Sequence, residues 1–174
     1  MKLIYRGLGL VALLTAACTL MAQGDQTHLK TNVTPSRAGV FVDGKYLGPA
    51  GNFGMARKYA LPAGQHQVKL VDPRYEEFST TVELKAGQTT KLEQTLKPLP
   101  PPKGPFGGLR TPGPDKYAAV YINDKYCGHA GEFNNPTQKL MLPVGEYTVR
   151  VEPLGGAPIN QKIKIEEGKT ILIH

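Results

Sequence analysis

Cysteine and histidine are scarce in this chain of 174 residues, two of the first and four of the second. Of the two cysteines, Cys18 lies in an N-terminal apolar stretch. If that stretch is removed, only Cys127 remains and no intramolecular disulfide can form. The histidines, His28, His66, His129 and His174, fall at no metal-ligand spacing, so neither a metal nor another cofactor is expected. There is no G-x-S-x-G elbow, no histidine pair on a helix and no glycine loop built to cradle phosphate, so an enzyme is not expected. The clustered acids Glu76, Glu77, Glu166 and Glu167 read as solvated surface beside turns. No run of Lys and Arg interleaves with aromatics, which argues against nucleic acid. Beyond the N-terminus no segment repeats its apolar residues at the 3.6 period of a helix.

What the N-terminus does contain is an address. Lys2 and Arg6 precede an apolar run from Leu8 to Leu20, followed by small residues and Gln23-Gly24-Asp25. This is the layout of a secretory signal over residues 1–22, cut after Ala22. The run stops short of the roughly 20 residues that a spanning helix needs. Leu14-Thr15-Ala16-Ala17-Cys18 also resembles a lipobox, so lipidation at Cys18 stands as the alternative and the only route to a membrane. Removing residues 1–22 takes away Lys2 and Arg6 and no carboxylate, so 21 basic residues become 19 against 14 acidic ones and the charge falls from +7 to +5. A mildly basic exported chain favours anionic surfaces without selecting one.

The strongest internal signal is a repeat. Residues 38–53 read AGVFVDGKYLGPAGNF and residues 118–133 read AAVYINDKYCGHAGEF, an offset of 80. One inserted residue later Leu61, Pro62, Gly64 and Val68 match Leu142, Pro143, Gly145 and Val149. A period this long means two copies of a small domain rather than a solenoid. Within each copy the apolar period is two: Val68 and Leu70, Val82 and Leu84, Val149 and Val151, Ile163 and Ile165 alternate with polar residues. That pattern describes antiparallel strands with one buried and one wet face. The turns agree. Asp43-Gly44 is a two-residue hairpin signal, Asn123-Asp124 its less tolerant counterpart, and Pro62 with Gly64, like Pro143 with Gly145, marks a second turn.

Between the copies runs KPLPPPKGPFGGLRTPGP. Its prolines favour a stiff polyproline spacer and its GPFGG a flexible joint, so residues 98–114 read as a linker that lets the two domains unfold independently. The expected fold is all-β, two small antiparallel β-sandwich domains at residues 28–97 and 115–174 joined by this Pro/Gly-rich linker.

The text Pro35, Ala38-Gly39, Val40-Phe41-Val42-Asp43-Gly44-Lys45-Tyr46-Leu47-Gly48, then Leu61-Pro62-Ala63-Gly64-Gln65-His66 and Gly87, resembles the PEGA domain family. The second copy, with no glycine in its hairpin turn and Gly155-Gly156 where the first has Asp72-Pro73-Arg74-Tyr75, is a divergent member. The resemblance implies a β-sandwich in a bacterial surface or envelope protein, and an accessory role rather than a reaction.

Candidate contact residues follow from the repeat. Phe53 and Phe133 lie in a repeated Ala-Gly-x-Phe loop, with Tyr46 and Tyr126 seven residues upstream. They are either plugs that close each sandwich or an exposed platform for a ligand. Asp43, Gly44, Asn123, Asp124, Pro62, Gly64, Pro143 and Gly145 are structural turn residues, and Cys127, standing where the first copy has Leu47, is a packing residue. The function expected is a non-enzymatic exported envelope protein, periplasmic, surface-bound or secreted, that binds an envelope protein or glycan. The alternative is a purely structural spacer of the envelope.

Overall fold

The computed structural model describes residues 27–54 and 59–173; the expected secretory signal over residues 1–22, the expected cut after Ala22 and the lipidation candidate Cys18 lie outside them. The chain is all-β. The first copy supplies β1 (Thr27–Thr34), β2 (Gly39–Val42), β3 (Lys45–Pro49), β4 (Tyr59–Leu61), β5 (Gly64–Val71), β6 (Phe78–Leu84) and β7 (Thr89–Thr95). They form an antiparallel sheet in the order β3-β2-β5-β6 and a smaller one in the order β4-β1-β7. The second copy repeats this with β8 (Phe106–Arg110), β9 (Ala119–Ile122), β10 (Lys125–His129), β11 (Leu140–Pro143), β12 (Gly145–Glu152), β13 (Ile159–Ile165) and β14 (Thr170–Leu172). Its sheets run β10-β9-β12-β13 and β11-β8-β14.

Each pair of sheets closes over its own core, because the alternating residues of one face have only the other sheet to bury against. Leu29, Val40, Val68, Leu70 and Leu84 fill the first core; Leu109, Val120, Val149 and Ile165 fill the second. Both hairpin turns carry positive φ at each central residue, 50° and 80° at Asp43 and Gly44, 49° and 62° at Asn123 and Asp124. The side chains hold these turns in the same way. Asp43 accepts the Gln67 N–H at 2.9 Å, and Asn123 accepts the Thr148 N–H at 2.9 Å. That bond compensates for the missing glycine in the second copy.

Three features differ from the sequence expectation. First, the stretch read as a linker contains a strand: Phe106–Arg110 is β8, the centre of the small sheet, and Leu109 is wholly buried. Its glycines serve contact rather than flexibility. A Cβ on Gly107 would stand 2.3 Å from the Glu166 carbonyl oxygen and 2.7 Å from Ile165 Cγ2. Second, each small sheet holds a parallel pair, β1 with β7 and β8 with β14. A parallel pair needs a long crossover, and here the rest of each module provides it. Third, the two modules are packed on each other. The outer faces of the two four-stranded sheets share a buried cluster of Tyr46, Val71, Ala119, Tyr121 and Tyr126, with Phe41 against it. The wet face expected from β5 and β12 is dry where β2, β3, β9 and β10 meet.

Candidate functional site

The seam between the modules is built from the repeat itself. Phe41 and Tyr121 are equivalent positions, as are Tyr46 and Tyr126, so each module offers the same pair of rings. A bulge in β3 and another in β10 set the rings there: Leu47 and Cys127 are the extra residues, lying between the paired Tyr46 and Gly48 and between Tyr126 and Gly128. The tyrosines then project outward while Leu47 turns into the core. Tyr46 and Tyr126 stack across the seam with centroids 5.2 Å apart, and their hydroxyls lie 3.3 Å from each other. Phe41 meets Tyr126 edge-on at 5.4 Å, and Tyr121 meets Tyr126 at 5.8 Å. Gly39 is what lets the rings approach, since a Cβ there would lie 2.6 Å from the Tyr126 ring. Burial raises the pKa of both phenols, so neither ionises near neutral pH.

An ion network locks one side of this contact. Asp72, 2% exposed, receives Arg37 Nε at 2.8 Å, Arg74 Nε at 2.9 Å and the Arg74 backbone N–H at 2.9 Å. Arg74 also donates across the seam to Glu132 at 2.9 Å. Burial pushes the Asp72 carboxyl upward, but the Arg74 bonds and the Arg37 charge outweigh it and hold the pKa below the ordinary value. For Arg74 burial acts against the charge, and its bonds to Asp72 and Glu132 more than restore it. The network is satisfied within the fold.

The residues singled out in the sequence are therefore placed as follows. Phe53 and Phe133 are 6% and 4% exposed, each inside its own core. Tyr46 and Tyr126 are buried in the seam. None of the four stands out as an exposed ring. Pro62 belongs to the turn leading into β5, where its carbonyl lies 3.0 Å from His66 Nε2, while His66 Nδ1 lies 2.7 Å from the Asp43 carboxylate. In the second copy the Tyr147 hydroxyl donates to the equivalent Pro143 carbonyl at 3.0 Å. Cys127 is a free thiol whose pKa burial pushes up to about 11, so it is not a nucleophile near neutral pH. Among the described residues no three metal-ligating side chains converge, and no helix is long and apolar enough to cross a membrane.

Sequence reasoning missed the surface that remains open, which lies around the rim of the seam. One groove of about 710 Å³ runs between Phe41, Tyr75 and Tyr121. A second of about 580 Å³ continues from it between the prolines at 100–102 and β11, over a floor of Cys127, Phe133 and Leu142. Leu99 and Met141 stand on its two sides, 43% and 44% exposed. The proline segment is held there by backbone bonds, Glu76 N–H to the Lys97 carbonyl and Leu99 N–H to the Arg74 carbonyl, both 2.8 Å. A signal for the seam was available: Val40-Phe41-Val42 and Val120-Tyr121-Ile122 contain no polar residue, as strands covered on both faces do.

The PEGA domain profile matches residues 27–100 and again 115–174. Among curated proteins none matches the chain. A solved structure titled the Bacillus anthracis TIE protein aligns with 85% of this chain at 17% identity and a TM-score of 0.31. The chain spans about a third of that structure's length, 34%.

Proposed function

The chain belongs to the PEGA domain family, and from that premise we propose that it is a non-enzymatic, exported module of the cell envelope whose two repeats act as one body that binds a partner. The observation that carries this reading is the groove beside the seam. Its walls come from both modules and from the proline segment between them, so it exists only in the tandem. Concave, largely apolar surfaces with a few polar groups at the rim are where partners bind. The repeated rings, by contrast, support the tandem rather than the ligand.

Export rests on residues 1–22. Intact mass of the native product tests it: a chain beginning at Gln23 means a periplasmic, surface or secreted protein, and a diacylated Cys18 means an outer-membrane lipoprotein. An uncut chain contradicts both. Binding is tested by retention of the purified mature chain on cell-wall glycan and, separately, on immobilised envelope proteins. Retention that survives high salt supports specific binding. One observation favours the second reading, a structural spacer: the aromatic seam and ion network fix the two modules face to face through the chain's own side chains. Loss of all retention at moderate salt would leave that reading standing.

A further inference from the structure

We propose that Pro98-Leu99-Pro100-Pro101-Pro102-Lys103 is a presented polyproline II ligand for a protein domain whose groove is lined with aromatic rings and flanked by carboxylates; this names the partner in the binding reading above and rests on it. The conformation is set locally. Proline fixes its own φ and pushes the residue before it to extended backbone, and Lys97, Leu99, Pro100 and Pro101 each precede a proline. Residues 99–103 accordingly take neither helix nor strand. An extended segment of this kind has three residues per turn. Its three ridges therefore pair Pro98 with Pro101, Pro100 with Lys103, and Leu99 with Pro102.

The fold holds the segment out rather than burying it. The Glu76 N–H to the Lys97 carbonyl and the Leu99 N–H to the Arg74 carbonyl, both 2.8 Å, anchor one end, and Tyr75 bridges to Pro98. Every residue from 97 to 105 is exposed. Leu99 lines both grooves at the rim of the seam, which sets its ridge toward the body and turns the other two outward. A partner therefore meets a segment already extended and anchored, and the ordering cost that weakens flexible ligands is small.

The outward ridges select the partner. Prolines spaced as P-x-x-P, here Pro98 and Pro101, dock in grooves lined by aromatic rings. Lys103 stands two positions beyond the second of them and adds a charge. Lys97, at the other end, is engaged by Glu76 at 2.9 Å, whereas among the described residues no carboxylate pairs with Lys103. Its ammonium is free to meet a carboxylate of the partner. Because it stands at one end only, it also fixes the direction in which the segment lies in the groove.

The probe is an SH3 domain selected on P-x-x-P-x-Lys peptides and carrying a tryptophan in its groove; residues 23–174 are the titrant. The chain has no tryptophan of its own, so the fluorescence of the probe reads binding directly, and it should change and saturate. Pro101→Ala should weaken binding about tenfold, the loss expected from two buried methylenes. Lys103→Glu should weaken it at least as much by turning an attraction into a repulsion, and that difference should shrink at high salt. Leu99→Ala, on the inward ridge, should change affinity by less than about twofold, since it leaves the outward ridges intact. All three positions are exposed, so the variants should melt as the wild type does. No saturable change, Pro101→Ala or Lys103→Glu binding as the wild type does, or Leu99→Ala weakening binding as much as Pro101→Ala would overturn the inference. If retention on immobilised envelope proteins is unchanged in the double variant Pro101→Ala with Lys103→Glu, the broader binding reading survives while the polyproline ligand does not.

Discussion

The two modules cap the same carbonyl with different side chains, and the difference shows how divergent copies keep one fold. In the first, His66 sits between Asp43 and the Pro62 carbonyl, so both ring nitrogens face acceptors and each must donate. In the second, Tyr147 donates once to the Pro143 carbonyl and Asn123 replaces the aspartate. The pair changes together because an imidazole held on two acceptors favours the charged form, whereas a phenol has one proton to give. The architecture is shared, but only the first module has made its turns depend on a titrating pair. What stayed constant is the apolar part: Phe53 and Phe133, Leu29 and Leu109, Tyr46 and Tyr126.

The largest effect should come from the shared plugs. Phe53→Ala and Phe133→Ala should each cost about 3–5 kcal/mol, because each ring is enclosed in a core that cannot collapse fully around the loss. Urea denaturation of the two variants should give similar losses. A variant with unaltered stability would mean its ring is not a plug and would break the equivalence of the copies.

Next in size is the comparison between glycines inside the proline-rich stretch. Gly107→Ala forces a Cβ against the Glu166 carbonyl and should cost about 1–3 kcal/mol. Gly113→Ala meets nothing within 4 Å and should be near neutral, since it only narrows the unfolded ensemble. Equal effects at both positions in thermal melts would return β8 to the linker.

That strand was partly legible. Leu29-Lys30-Thr31 lies at the same offset of 80 from Leu109-Arg110-Thr111, and the equivalence is physical. Thr31 Oγ1 donates to the Ala50 carbonyl at 2.8 Å, and Thr111 Oγ1 to the Ala130 carbonyl at 3.2 Å. Density of proline and glycine hid it, because composition does not distinguish a glycine that bends from one that makes room. The core, the hairpins and the repeat were legible because period and turn chemistry are local. The seam and the groove beside β11 were not, since they depend on which outer faces meet. Tyr46 and Tyr126 were selected for the right reason, their recurrence, but recurrence alone does not say whether a ring faces a ligand or its own copy.

A smaller effect separates the modules by pH. The bond to Asp43, followed by the Pro62 carbonyl, raises the His66 pKa above its ordinary 6.5 despite the opposing effect of burial. Stability from this group is thus fully present below 6.5 and is lost as pH rises through the elevated value. For Asp43 the His66 bond, then the Gln67 N–H, lowers the carboxyl from 3.8, so its contribution is lost as pH falls through that lowered value. The pair stabilises most between these limits. The difference in melting temperature between wild type and the double variant Asp43→Asn with His66→Tyr, which copies the second module, should change as pH rises above 6.5, where the wild type loses the His66 contribution. Parallel curves would remove His66 from the account.

The central claim is that the aromatic seam makes one cooperative body of two repeats, and calorimetry of residues 23–174 tests it most directly. A single transition is predicted, with calorimetric and van't Hoff enthalpies equal at about 100 kcal/mol, the value expected near 60 °C for the whole chain unfolding together. Tyr126→Ala should split it in two. Two transitions in the wild type, or a van't Hoff enthalpy near 50 kcal/mol, would mean that the modules unfold separately and that the seam does not join them.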